Sequence, residues 1–332
     1  MRIVHTFILQ KERPSLGREY YYTMTLSALL AKQAYGNIHL YTNEQSLAVI
    51  KDLQIPYDSI NTQVLSTYEY DTFSVAKLKV YQAQTEEFIH IDHDTLLFKE
   101  LTLPKKPGIV FSHKETFTPD SLYELLQYSS AYLEGLQELQ NFIPPEFIHY
   151  NAQHMPNMNI VVGKNLSTVR RAAQTTLALY RAYKHIFDAN YSRACLLEQY
   201  LFTQWILTFD KSFKDYIEFG TCFLTHNHPL ICNEGGHIYE SYPITFQVAQ
   251  PKERFVINNR AELKNLVGFD FSGWTHLNGY KNAFPFVYLT LSYIHTRFGR
   301  EYIDRVWTLI NPNDTYRCAA ELAYQEDYGK IL

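Results

Sequence analysis

The feature that most constrains the fold is a repeated change of hydrophobic period over residues 1–115. Short β-rich runs alternate with stretches whose apolar residues recur every three or four positions. Arg2–Leu9, Asn37–Thr42, Ser59–Val64, Glu87–Leu97 and Gly108–Ser112 read as strands. Between them, Glu19–Ala34, Glu44–Leu53 and Ser74–Gln84 read as helices, the first stopped by Gly36-Asn37 and the second near Pro56. Successive strand–helix–strand units build parallel strands with helices on both faces of the sheet. Ligands of such sheets bind beyond the carboxyl ends of the strands.

The second half is less regular. Leu122–Gln140 reads as a helix ending before Pro144-Pro145, and Met158–Val162 as a short strand after Pro156-Asn157. Helices over Leu166–Phe187 and Arg193–Phe209 follow, then strands Phe219–Thr225 and Ile244–Val248 around a loop rich in Asn, His and Gly. Phe284–Arg297 and Arg300–Ile310 read as closing helices. No internal repeat, low-complexity tract or flexible linker interrupts the 332 residues, which favours one composite domain.

Hydrophobic residues at 46% and charged residues at 19% supply an ordinary globular core. A net charge of −4, with no Lys/Arg block longer than a pair, excludes a nucleic-acid footprint. The 27 tyrosines suit a sugar- or nucleotide-binding surface, or equally a bias of composition. Cys195, Cys222, Cys232 and Cys318 form no C-x-x-C pair, as expected of reduced thiols in a cytoplasmic protein. His226, His228, Cys232 and His237 cluster in sequence, but their spacing fits no familiar zinc pattern. The apolar start of the chain is too short for a signal-peptide core, and no run is long enough to span a membrane. Peripheral membrane contact stays open.

The strand Glu87–Leu97 carries the chemistry. Its apolar run surfaces at Asp92-His93-Asp94 and then turns apolar again. In an extended chain residues i and i+2 share a side, so Asp92 and Asp94 can offer oxygens to one point. Hard divalent cations take that arrangement and share it with a substrate's phosphates. His93 then faces the other way, as a packed or surface histidine.

Five motifs, in order, make the chain resemble glycosyltransferases of the GT-A fold, and most of all the glycogenin and lipopolysaccharide-galactosyltransferase group. They are Phe73-Ser74-Val75-Ala76-Lys77, Ile91-Asp92-His93-Asp94-Thr95, Pro156-Asn157-Met158-Asn159, Leu196-Leu197-Glu198-Gln199 and His276-Leu277-Asn278-Gly279-Tyr280-Lys281. Three depart from the family pattern: Asn159 stands for a Gly, Glu198 for an Asp, and Lys281 comes one residue early. The resemblance implies an α/β, Rossmann-like GT-A domain over residues 1–285, with a mostly parallel sheet, flanking helices and a helical C-terminal extension over 286–332 packed on it.

The resemblance also implies roles. Asp92, Asp94 and His276 would hold Mn²⁺ or Mg²⁺, with Asp92 also reaching the ribose. Lys77, Gly279 and Lys281 would contact the nucleotide-sugar phosphates, and Thr6-Phe7 would lie by the base. Asn157 and Glu198 would grip the sugar, with Gln199 beside the anomeric carbon. On the residues alone, Lys77 reads equally as a solvated helix lysine, Asn157 as a turn residue after proline, and Glu198-Gln199 as an exposed helix pair. The implied activity is hexosyl transfer from a nucleotide-sugar, UDP-linked, to a glycan, lipid-linked or protein acceptor in polysaccharide biosynthesis. No general base stands out, which agrees with a retaining reaction. A metal-dependent phosphoesterase, or a silent GT-A-like domain binding a glycan or partner, are the alternatives.

Overall fold

The computed structural model describes residues 1–9, 16–67, 72–103, 109–112, 114–116, 128–142, 154–188, 193–209, 230–232, 238–240, 274–277, 284–309 and 319–328. The chain opens with β1 (Arg2–Thr6), α1 (Arg18–Tyr35), β2 (His39–Tyr41), α2 (Glu44–Ile50) with a single 3₁₀ turn after it, and β3 (Ser59–Asn61). It continues through α3 (Phe73–Ala83), β4 (Phe88–Ile91), β5 (Thr95–Leu97), β6 (Ile109–Phe111), β7 (Lys114–Thr116), α4 (Tyr128–Gln140), β8 (His154–Pro156) and β9 (Ile160–Gly163). Then come α5 (Leu166–Ala182), α6 (Lys184–Asp188), a π-helical stretch (Leu196–Leu201) and α7 (Phe202–Phe209). β10 (Leu230–Cys232) pairs with β11 (Ile238–Glu240), and β12 (Trp274–His276) precedes α8 (Phe284–Phe298), α9 (Glu301–Leu309) and α10 (Ala319–Tyr328).

The main sheet has six strands in the order β3-β2-β1-β4-β9-β6. β3, β2, β1 and β4 run parallel, while β9 is antiparallel to both β4 and β6. The expected α/β architecture, with a mostly parallel sheet, flanking helices and a helical C-terminal part, is therefore present. Alternation along the strands sets the two faces. On one face Val4, Phe88 and Val161 join α3, α5, the π-helical stretch and α7 in a large apolar cluster. On the other, Ile3, Ile89 and Ile91 meet Ala28 and Ala31 of α1. A third cluster packs α1 and Phe7 against α8, α9 and α10. It holds a buried polar lock, in which Tyr22 Oη donates to Glu321 Oε1 at 2.9 Å and Arg18 Nε lies 3.4 Å from the same oxygen.

Two glycines are dictated by the backbone. Gly36 ends α1 at φ +71, its N–H returning to Lys32 O. Gly163 sits opposite Phe88 in the register of β9 and β4, and a Cβ there would lie 2.4 Å from the Phe88 ring. Gly163→Ala should therefore cost about 1–3 kcal/mol by overpacking, read as a lower urea midpoint with an unchanged slope.

The structure corrects several boundaries. The strand expected over Glu87–Leu97 is broken at Asp92–Asp94, after which β5 leaves the main sheet. The helix expected over Leu166–Phe187 breaks at Tyr183, whose O accepts from Ile186 N as α6 begins. The α10 helix had no counterpart among the expected elements. The strands expected at Phe219–Thr225 and Ile244–Val248 lie outside the described residues, as do the first residues of the helix expected from Leu122. No helix among the described residues is long and apolar enough to cross a membrane.

Candidate active site

In the sheet order, β1 lies between β2 and β4, so the chain reverses its direction of strand addition there. In open α/β sheets such a switch point is where the ligand crevice lies, beyond the carboxyl ends of the strands, and Thr6 and Asp92 stand at those ends of β1 and β4. The acidic pair is carried on a tight turn closed by Thr95 N donating to Asp92 O at 2.9 Å. Period-two geometry is therefore not what presents the two carboxylates. A four-residue turn is, with Asp94 buried and Asp92 partly exposed.

Asp92 meets Lys77 of α3, whose Nζ lies 2.7 and 2.9 Å from its two carboxylate oxygens. The same Nζ reaches Glu198 Oε1 at 3.4 Å. The Lys77 side chain is 9% exposed and that of Glu198 4%, so neither is a solvated helix residue. Burial disfavours the Lys77 charge, but Asp92 and Glu198 reverse that and hold its pKa above the ordinary value. The Glu198 pKa is raised as well, to about 7: burial, with the Asp92 charge nearby, outweighs the pull of Lys77. Glu198 and Gln199 lie in the π-helical stretch, all six of whose residues are buried. A π-turn widens a helix locally and re-aims its side chains, and such turns gather at functional sites. The folded protein holds the Glu198 proton more tightly than the unfolded chain, whose pKa is near 4.5. Its contribution to stability is thus present at low pH and lost as pH rises from about 4.5 to 7. Glu198→Gln should flatten stability across that window, read from urea midpoints at successive pH values.

Asn157 and Asn159 follow β8 at the edge of the same crevice. Asn157 Oδ1 accepts from Asn159 N at 2.7 Å, a side-chain turn of the kind asparagine favours after proline. Asn159 O accepts from Asp92 N at 2.8 Å, and Asn159 Nδ2 donates to Thr95 Oγ1 at 3.2 Å. Ser112 Oγ donates to Asn159 Oδ1 and to Asn157 O.

His276 arrives from far along the chain. β12 pairs antiparallel with β5 so that His276 registers against Thr95, and Leu277 N donates to Asp94 O at 3.0 Å. The backbone thus brings His276 beside the acidic turn; Gly279 and Lys281 lie outside the described residues. So do His226, His228 and His237.

Two buried histidines flank the site. His5, on the α1 face, lies 3.3 Å from Ser27 Oγ, which itself donates to Thr95 O at 2.5 Å. Burial, with His93 nearby, pushes its pKa down to about 3 against the pull of Asp94, so it is neutral. His90, on the α3 face, contacts Thr6 Oγ1 at 3.0 Å and Tyr81 Oη at 3.3 Å, and burial and Lys77 keep it neutral too. Neither was singled out in the sequence. Their only signal was a histidine at each of two apolar strand positions. The Phe7 ring is buried at 1% exposure and set edge-on to His93, with Tyr20 beside them. It is core packing rather than an open face for a nucleotide base, and His93 is the packed histidine expected.

The architecture defines an α/β protein with a buried charge cluster, Lys77 with Asp92 and Glu198, at a strand-order switch. The chain belongs to DUF6734, a family of unknown function whose model matches residues 1–220. No curated protein matches the sequence. Three similar solved structures are glycosyltransferases. One is the galactosyltransferase LgtC in complex with donor and acceptor sugar analogs, at 14% identity and TM-score 0.35 over 60% of this chain and 71% of that one. An active-site mutant of LgtC is similar at 13% identity and TM-score 0.32, over 60% and 70%. The glycosyltransferase GlyE of Streptococcus pneumoniae TIGR4 is similar at 10% identity and TM-score 0.33, over 64% and 44%.

Proposed function

We propose that the chain is a metal-dependent glycosyltransferase of the GT-A type, moving a sugar from a nucleoside-diphosphate donor, UDP-linked, to a glycan, lipid-linked or protein acceptor. Residues 1–285 form its catalytic domain and 286–332 a helical extension. The observation that carries this reading is Lys77, buried between Asp92 and Glu198 at the switch point. A buried cation between carboxylates suits a substrate that joins an anionic leaving group to a polyhydroxyl ring.

Carboxylates from Asp92 and Asp94, with an imidazole from His276, would be the donor set for a hard divalent ion. A carboxylate has about four lone-pair positions, so Lys77 can hold Asp92 and still leave it able to coordinate. Asp94 adds oxygen and His276 nitrogen, a mixture that Mn²⁺ accepts and Mg²⁺ tolerates. Bound there, the ion would supply positive charge to the departing diphosphate.

This chain's own residues do the rest. Lys77 orients Asp92 and, with Lys281, adds positive charge beside the phosphates; Gly279 allows their close approach. Glu198, with a pKa near neutrality, can accept or donate a hydrogen bond to a sugar hydroxyl. Asn157, whose side-chain oxygen accepts from Asn159 N, would contact the sugar. Gln199 stands one residue on, in the same buried stretch, to face the anomeric carbon. Thr6 marks where the base lies. No side chain stands out in the sequence as a general base, which agrees with retention of configuration.

The test is a panel of UDP- and GDP-sugars with Mn²⁺, scored for release of free nucleoside diphosphate. Metal-dependent release from one donor is the expected result. Phosphate release from simple esters would replace the reading with a phosphoesterase. Neither turnover nor nucleotide binding would leave a silent binding domain.

A further inference from the structure

The geometry points to Asn159 as a positioning residue that clamps the acidic turn and sets how tightly it holds its metal. This inference rests on the metal-dependent reading above. Asn159 grips the turn at both ends. Its backbone oxygen takes the N–H of Asp92, where the turn begins, at 2.8 Å. Its side-chain nitrogen donates to the hydroxyl of Thr95, where the turn ends, at 3.2 Å. Asp92 and Asp94 lie within that span, so fixing its ends fixes the angle between the carboxylates.

The clamp is itself held. Ser112 donates to Asn159 Oδ1, and Asn157 Oδ1 takes the Asn159 N–H at 2.7 Å. Asn159 is 1% exposed, Ser112 and Thr95 are fully buried, and Ser27 secures the Thr95 carbonyl from the opposite face of the sheet. The backbone N–H and C=O and both amide atoms of Asn159 therefore have partners in a dry setting, where an amide that lost one would be costly to keep. A glycine here could make the backbone bond to Asp92 but no bond to Thr95. The asparagine joins the β9 side of the sheet to the end of the turn. Groups that orient metal ligands without touching the metal commonly change affinity 10- to 100-fold when removed.

The experiment is Mn²⁺ binding to the full chain without donor, followed by titration calorimetry or by the free-ion electron paramagnetic resonance signal. Asn159→Ala should weaken Mn²⁺ binding by about 10-fold or more. Thr95→Val, which keeps shape and removes only the hydroxyl, should weaken it similarly, and the double variant should be no weaker than the worse single. At saturating Mn²⁺ the KM for nucleotide-sugar should return to that of the unaltered protein, because the clamp acts on the metal turn and not on the donor. Should Asn159→Ala fail to fold, Thr95→Val decides alone. Unchanged Mn²⁺ affinity in a folded variant overturns the clamp and leaves the transferase reading standing. An unaltered protein that binds no Mn²⁺ overturns both.

Discussion

Lys77→Met is expected to destabilise the protein by about 3–5 kcal/mol at pH 8, the cost of removing one partner from a buried charge cluster. The lysine holds Asp92 at 2.7 Å and Glu198 at 3.4 Å, and methionine would leave two carboxylates facing each other with no cation. The loss should shrink toward pH 5, because Glu198, already raised to about 7, takes up a proton and removes one of the charges. Adding Glu198→Gln to Lys77→Met should recover part of the stability. Urea denaturation of the three variants at both pH values measures it. A cost below about 1 kcal/mol at pH 8 would mean that Lys77 behaves as a surface lysine.

Asp94→Ala should reduce metal-dependent nucleoside-diphosphate release by about 10²–10³-fold or more, the range seen when one transition-state electrostatic contact is lost. Its main-chain oxygen would keep the bond to Leu277 N, so the turn and the β5–β12 pairing should survive and the melting temperature should move little. Unchanged donor affinity with Mn²⁺ present would refute the metal role of Asp94.

The parallel half of the sheet was legible because its first two helices have stop signals and each strand its own apolar run. Gly36 at φ +71 is the clearest instance, since the sequence marks it and the backbone requires it. The acidic pair was legible as a pair of carboxylates but not in its geometry. Nothing in Ile91-Asp92-His93-Asp94-Thr95 says that the strand breaks, because the break is made by bonds from Asn159 and Leu277, distant in sequence. The burial of Glu198 was hidden for a similar reason. A Glu-Gln pair in a helical run looks exposed until a π-turn and Lys77 account for it. His5 and His90 were illegible because a neutral, hydrogen-bonded histidine on a strand leaves the hydrophobic period almost unchanged. The reversed direction of β9 could not be read at all, since periodicity fixes which face a residue takes and not which way its strand runs.

The pairing of β12 with β5 has a consequence for how the protein is made. The parallel strands β1 to β4 come from the first part of the chain and can assemble as soon as it leaves the ribosome. The acidic turn cannot be completed then, because the donor to Asp94 O is Leu277 N and the neighbour of Thr95 is His276. The lock between Tyr22 and Glu321 closes later still, joining residues 299 apart. Contacts of such long range are slow to form, since the loop entropy is lost before the contact repays it. A nascent chain would thus carry the parallel strands well before it carries a closed acidic turn, whose last backbone partner is supplied only once residue 277 has been made.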